Sequence, residues 1–137
     1  MTQTTDISDA ALVEGFLDTS LSTEAFHHAQ HVRCAWLFVR QHGMPGALAA
    51  FPAALQRFAD AKGATRLYHE TITWAFLLLI HERQQRTAAA DWPAFAAANG
   101  DLLAWKPSVI DRLYTAETLA SEFAKRTFVM PDRLGAI

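Results

Sequence analysis

The chain has 137 residues and a formal net charge of −2, from 12 basic and 14 acidic side chains. Hydrophobic residues make up 51% and charged residues 19%, which excludes a disordered chain. The charge balance lacks the basic footprint of nucleic-acid-binding proteins, so we expect no nucleic-acid partner. The length fits one buried core, and we expect a single domain over residues 1–137, flexible at 1–8 and 133–137.

The cysteine content and the apolar runs indicate where the protein works. Cys34 is the one cysteine, which excludes an internal disulfide and favours a reducing compartment. The first nine residues are polar, unlike a signal peptide. The longest uncharged apolar run, residues 72–80, is shorter than the ~20 residues of a membrane span. We therefore expect a cytoplasmic protein with no membrane partner.

Alanine- and leucine-rich stretches with helical periodicity predict an all-α fold of about six helices. Ser8, Asp91 and Thr115 precede three of these stretches as N-cap residues, and Gly43 and Gly63 follow two others. In chain order the predicted helices cover residues 9–17, 27–41, 46–61, 66–86, 92–98 and 116–126.

The fourth predicted helix is apolar on every side between Ile72 and Ile80. A helix that is apolar all round is buried on most sides. The other helices should therefore pack around it as a compact irregular bundle. The apolar surface of the last two predicted helices leaves a homodimer open as an alternative.

Histidines mark the starts of the second and fourth predicted helices. At 100° per residue, His28 and His31 lie on the apolar face of the second, and His69 lies on an inward face of the fourth. Short connections make consecutive helices antiparallel, so these two helices should run parallel, with their starts at one end. The sequence therefore predicts a cluster of His28, His31 and His69, with Glu70 beside it.

Three imidazoles and a carboxylate are a plausible ligand set for a divalent metal ion, namely Zn²⁺, Fe²⁺, Mn²⁺ or Ni²⁺. In this interpretation His28, His31 and His69 bind the metal. Glu70 is the general base or orients a histidine, and Thr73 hydrogen-bonds a ligand or a histidine. The protein would then be a small enzyme.

The two predicted helix starts also favour an anionic small-molecule ligand. Each contributes unsatisfied N–H groups and about half an elementary positive charge. The same field lowers histidine pKa values and favours the neutral imidazole that binds metals. Arg66 and Tyr68 would rim the site, and Trp74 would wall it. We therefore expect a small anionic metabolite as the substrate.

Other interpretations stay open at this point. Without a metal, His69 could act as a base with Glu70 or His31 as its partner. The same pocket could belong to a metal- or ligand-binding accessory protein without turnover, or the histidines could be core residues. The sequence contains no phosphate loop, dinucleotide fingerprint or Gly-x-Ser-x-Gly, so we expect no nucleotide cofactor.

Three motifs carry a family resemblance. Residues 26–31 fit F-x-H-x-x-H, residues 68–73 fit Y-H-E-T-x-T, and residues 128–132 fit F-x-x-P-D. Together they resemble a group of short bacterial helical proteins whose activity is unassigned. The resemblance implies that His28 rather than His27 pairs with His31, and it implies no particular reaction. It also implies that His69, Glu70 and Thr73 belong to one functional unit.

Overall fold

Helix-forming sequence dominates the chain, and the computed structural model, which describes residues 7–133, is mostly helical. Those residues form seven α-helices and three short 3-10 helices and no strand, so the predicted all-α fold is confirmed. None of the described helices has both the length and the apolar composition that a membrane span requires. The α-helices are α1 Asp9–Leu17, α2 His28–Ala61, α3 Glu70–Thr87, α4 Trp92–Ala98, α5 Gly100–Leu103, α6 Ala116–Ala120 and α7 Glu122–Arg126. The 3-10 helices are Thr23–Ala25, Thr65–Leu67 and Val109–Arg112.

The chain forms two compact units, Met1–Tyr68 and His69–Ile137, which we call the N-terminal and C-terminal units. The expectation of a single domain stays a prediction. Most of the residues expected to be flexible lie outside the described part of the chain. Of the others, Ser8 accepts a hydrogen bond from the N–H of Ala11 as the N-cap of α1, and the N–H of Arg133 donates to the carbonyl of Leu113.

The N-terminal unit is built on a helical hairpin. The backbone of α2 is interrupted at Gly43, whose φ of 73° lies in the left-handed region that favours glycine. The helix direction reverses there. The evidence is that Phe38 before the interruption and Phe51 after it have ring centroids 5.2 Å apart. The two arms of α2 therefore correspond to the helices predicted over residues 27–41 and 46–61.

Phenylalanine rings fill the core of the N-terminal unit. Phe16 of α1 is fully buried, and its ring centroid lies within 6.0 Å of four other rings, those of Phe26, Phe38, Phe51 and Phe58. Aromatic pairs at such distances add stability beyond their buried area. An ion pair of 2.6 Å between Arg33 of α2 and Asp9 of α1 ties the two helices at their surface.

In the C-terminal unit, α3 packs against α4, α7 and the 3-10 helix Val109–Arg112. Phe76, Leu77 and Ile80 are buried on α3, whereas Leu78 is 39% exposed. The helix predicted over residues 116–126 is divided into α6 and α7. Ser121 separates them with an extended backbone, and its side chain accepts a hydrogen bond from the N–H of Ala124.

A non-helical segment follows α7 and crosses α3. We call residues 127–133 the strap. The hydroxyl of buried Thr71 on α3 donates to the carbonyl of Thr127 at 2.8 Å and accepts from the N–H of Val129 at 3.1 Å. The hydroxyl of Tyr114 donates to the carbonyl of Val129 at 2.6 Å. The side chains of Thr71 and Tyr114 therefore hold the strap in the C-terminal unit.

The strap also carries the F-x-x-P-D motif. The ring of Phe128 stacks on that of Trp74 with centroids 5.2 Å apart. The carboxylate of Asp132 accepts from the N–H of Thr115 at 2.9 Å and from the hydroxyl of Thr118. These hydrogen bonds lower the pKa of Asp132, so the carboxylate stays ionised while it holds the start of α6.

Candidate functional site

Three histidines gather where α2 begins. We call His27, His28 and His31 the α2 histidine group. His27 is the N-cap residue, and its N–H donates to the Oε1 of Gln30 at 3.0 Å. His28 and His31 lie one turn apart on the helix, and His28 is half-buried. Two imidazoles of the predicted metal site are therefore neighbours in the N-terminal unit.

His31 is held in the neutral form. Its ring stacks on that of Phe26, with centroids 4.1 Å apart. The pKa of His31 is lowered to about 4, mainly by burial and also by the positive charges that His28 and His27 would carry, whereas a hydrogen bond to the backbone of Phe26 acts in the opposite direction. The sequence predicted a neutral imidazole from the field of the helix start, but burial is the larger cause.

The hydrogen bond to the backbone of Phe26 also indicates the roles of the two ring nitrogens of His31. A bond that raises the pKa of an imidazole favours its protonated form, so the ring donates and the backbone carbonyl accepts. In a neutral imidazole the other ring nitrogen then carries the lone pair. A neutral His31 imidazole therefore has one nitrogen lone pair, which a metal ligand requires.

The far arm of α2 ends beside the same aromatic rings. Phe26 and Phe58 have ring centroids 4.8 Å apart, and the Nζ of Lys62 lies 5.3 Å from the Phe58 centroid. Arg66 follows as an exposed residue of the 3-10 helix Thr65–Leu67. Tyr68 comes next and is half-buried. Both predicted ligand-binding residues after α2 therefore belong to the N-terminal unit.

His69 is the N-cap residue of α3. Its Nδ1 accepts from the N–H of Ile72 at 3.1 Å, and its Nε2 lies 2.8 Å from the carbonyl oxygen of Leu119. A carbonyl only accepts, so Nε2 carries the proton and the ring is the neutral Nε2–H tautomer. Both nitrogens are engaged within the C-terminal unit. A metal bond to either would replace one of these hydrogen bonds.

The other predicted residues of this region lie on α3. Thr73 is buried, and its hydroxyl donates to the carbonyl of His69 at 2.8 Å, four residues earlier. Glu70 is the first residue of α3 and is half-buried. Trp74 stacks on Phe128, as described above. His69, Glu70, Thr73 and Trp74 are thus adjacent on one helix.

Two ring nitrogens of α3 stand out from the rest. The Nε1 of Trp74 and the Nδ1 of His81 are buried and have no hydrogen-bond partner among the described residues. The sequence pointed to Trp74 as a wall of the site but not to His81. The signal that could have found it is its position on the same side of the helix as Trp74, seven residues later.

The predicted cluster combines histidines of both units and stays a prediction. Within residues 7–133, no three or more His, Cys, Asp or Glu side chains form a group that could hold a metal ion. No protein-family model, curated protein or solved structure matches the chain. The resemblance to the bacterial group also stays a prediction, so function is argued from the side chains themselves.

Proposed function

We propose that this chain is a small cytoplasmic enzyme that binds a divalent metal ion at the α2 histidine group and acts on a small anionic metabolite. His28 and His31 would hold the metal, with water or oxygen atoms of the substrate as further ligands. When bound, such a metal would polarise an oxygen of the substrate. The observation that carries the proposal is the neutral, largely buried imidazole of His31.

The hydrogen-bonding state of His31 favours a metal ion over direct binding of an anion. Histidines that ligate metals commonly donate their other ring N–H to a backbone carbonyl, as His31 does to Phe26. The remaining lone pair attracts a cation or a donor and repels a carboxylate or phosphate oxygen. An anionic metabolite would therefore bind through the metal rather than to the ring.

Acid–base catalysis without a metal has less support. A general base works best when its pKa lies near the working pH, and the pKa of His31 is about 4. His69 would have to release the N–H of Ile72 before its Nδ1 could take a proton, because its Nε2 already carries one and donates it to Leu119. Within the proposal, His69 therefore orders the start of α3, and Glu70 remains a candidate base.

Metal binding is tested by equilibrium dialysis against Zn²⁺, Fe²⁺, Mn²⁺ and Ni²⁺, followed by elemental analysis of the protein. We expect one metal ion per chain. His28→Ala and His31→Phe should each lose it, and His31→Phe keeps a ring to stack on Phe26. The matched control is His42→Ala, because His42 is an exposed histidine on the same helix.

Two results would contradict the proposal. One is a wild-type protein that binds none of the four ions; the other is a folded His28→Ala/His31→Phe double variant that keeps its metal. His69→Asn separately tests the predicted third ligand, because asparagine is also a good N-cap residue. Metal loss in that variant would add His69 to the ligand set.

The enzyme and accessory interpretations differ in turnover. The metal-loaded protein should convert at least one member of a panel of small carboxylates and phosphate esters, and His28→Ala should abolish the conversion. A metal-loaded protein that binds panel members without converting them would be an accessory protein instead. Sedimentation of the same samples tests the homodimer that the apolar surface of the last two predicted helices leaves open as an alternative.

A further inference from the structure

The exposed side of α7 combines an aromatic ring with both signs of charge. Glu122, Phe123 and Arg126 are its exposed residues, whereas Ala124 is buried in the C-terminal unit. Residues three and four apart share one side of a helix, so Arg126 lies beside both Phe123 and Glu122. Phe123 is 58% exposed, although aromatic rings dominate the energetics of cores and interfaces. We call these three exposed residues the α7 face.

The charges of the α7 face are not paired within the described chain. On α3, an ion pair of 2.8 Å joins Glu82 to Arg86, four residues later. Glu122 and Arg126 have the same spacing but form no such pair, and neither has an ion-pair partner among residues 7–133. The guanidinium of Arg126 instead lies over the Phe123 ring, with its central carbon 5.5 Å from the centroid. Glu122 is therefore available to a cation from another molecule.

The order of the charges makes the α7 face complementary to itself. Its acidic residue begins the helix and its basic residue ends it, about 6 Å further along the axis. Two copies of α7 packed antiparallel across a two-fold axis bring Glu122 of each copy to Arg126 of the other, and the Phe123 rings meet near the axis. Two-fold contacts of this kind are the commonest in soluble oligomers. Parallel packing would set like charges against each other and is therefore disfavoured.

The size of the α7 face and the net charge of the chain determine how strong such a contact is. Met130 of the strap is 71% exposed and follows Arg126 by four residues, so a second exposed apolar side chain lies within about 14 Å of the face. This surface is smaller than the ~800 Å² per partner of a typical stable interface. The formal net charge of −2 per copy opposes association only weakly. We therefore expect a dissociation constant of roughly 10 μM to 1 mM.

We propose that the α7 face is a docking surface for a second copy of this chain, which binds to it as a weak antiparallel dimer. Phe123 of each copy packs against Phe123 of the other, and two ion pairs between Glu122 and Arg126 flank the rings. In each copy the Arg126 guanidinium stays beside an aromatic ring while it gains a carboxylate partner. The dimer does not depend on a metal at the α2 histidine group or on turnover.

Sedimentation equilibrium of the metal-free protein, from about 10 μM to about 1 mM, measures the association. We expect the weight-average mass to rise from 15.2 kDa towards twice that value. Phe123→Ser changes both copies at once and should weaken dimerisation by at least about tenfold. The matched control is Leu67→Ser, because Leu67 is 81% exposed but belongs to the N-terminal unit. This control should associate as the wild type does.

Two charge reversals test the antiparallel arrangement. Glu122→Arg leaves only cations on the α7 face and Arg126→Glu leaves only anions, so each variant alone should stay monomeric over this concentration range. An equimolar mixture of the two should restore the wild-type association, because every contact then joins opposite charges. Glu24→Arg controls for the change in net charge, because Glu24 is an exposed glutamate of the N-terminal unit, and it should dimerise as the wild type does. Circular dichroism checks that each variant is folded.

Three outcomes would overturn the proposal. The first is a wild-type protein that stays monomeric at the highest concentration. The second is a folded Phe123→Ser variant that associates as strongly as the wild type, which would place the contact on another surface. The third is a mixture of the two charge-reversal variants that remains monomeric, which would exclude the pairing of Glu122 in one copy with Arg126 in the other.

Discussion

The starts of α2 and α3 are both capped by histidine, yet their side chains are used differently. At α3, His69 bonds Ile72 and Leu119, and Thr71 bonds the strap. At α2, burial lowers the pKa of His31 and its ring stacks on that of Phe26. Residue type and helical position therefore do not decide whether a histidine is structural. What decides it is whether the surrounding chain already supplies partners for both ring nitrogens.

The largest effect is expected at the start of α3, for Thr71→Val. The substitution keeps the shape of the buried side chain but removes the partner of both Thr127 and Val129. We expect a loss of about 2–3 kcal/mol in the free energy of unfolding, because two backbone groups lose their hydrogen bond. Urea denaturation measures it.

Thr87→Val is the matched control for that prediction. The hydroxyl of Thr87 donates to the carbonyl of Arg83, but it is exposed and holds no second segment. Its removal should change the free energy of unfolding by less than about 0.5 kcal/mol. Equal effects of the two substitutions would mean that Thr71 does not hold the strap.

The next effect concerns pH and the start of α2. The folded pKa of His31, about 4, lies below its ordinary value of 6.5, so the unfolded chain binds more protons between these values. Acid should therefore destabilise the fold as the pH falls from about 6.5 towards 4. Between pH 7 and pH 5 the His31 contribution to the loss is about 2 kcal/mol.

The variant His31→Phe isolates this pH effect. Its free energy of unfolding should fall less than that of the wild type over the same range, by the His31 contribution. An NMR titration should show the wild-type His31 ring still neutral at pH 5. If the ring protonates near pH 6.5, the difference drawn between the two helix starts is wrong.

His69→Ala should have a smaller effect. It removes the N-cap acceptor for Ile72 and the donor for Leu119, and loss of an N-cap side chain costs about 1 kcal/mol. His69→Asn restores the acceptor and should recover part of the loss. Thermal unfolding of the three proteins, compared side by side, measures both steps. If His69→Ala leaves the thermal stability unchanged, His69 does not have the structural role assigned to it.

The smallest effect is expected for His27→Ala. The side chain of His27 is exposed, and the hydrogen bond to Gln30 comes from its backbone N–H, which alanine keeps. The free energy of unfolding should change by less than about 0.5 kcal/mol. Together with His69→Ala, this substitution tests directly whether the two N-cap histidines differ. A larger loss at His27 than at His69 would reverse the comparison.

Local sequence signals account for most of the helices. Ser8 caps α1 at the predicted residue, and Gly43 reverses α2 where the sequence placed a connection. In both cases the deciding interaction lies within a few residues. Ser121 was harder to interpret, because its side chain caps α7 within a stretch that otherwise continues a helical pattern. Serine competes for backbone groups in this way at helix boundaries.

The candidate site was predictable only where its determinants are local. That His28 and His31 lie one turn apart follows from their spacing, whereas the lowered pKa of His31 comes mainly from burial, which the spacing does not show. The partner of His69 does not follow from local spacing either, because Leu119 lies 50 residues later in the chain. The position of His81 on the side of Trp74 follows from its spacing, but the lack of a partner for its Nδ1 does not, since that depends on which groups the packed fold leaves unbonded.

The hydrogen bonds of Thr71 also limit when the start of α3 can be completed during synthesis of the chain. Its partners are 56 and 58 residues further along the chain, whereas His31 stacks on a ring five residues before it. At a synthesis rate of about 5–20 residues per second, the ribosome needs roughly 3 to 12 s to add those 58 residues. The beginning of α3 spends that interval without its final partners, while the ring on which His31 stacks is already made. Chaperones that bind nascent chains would therefore meet the start of α3 before the strap has been made.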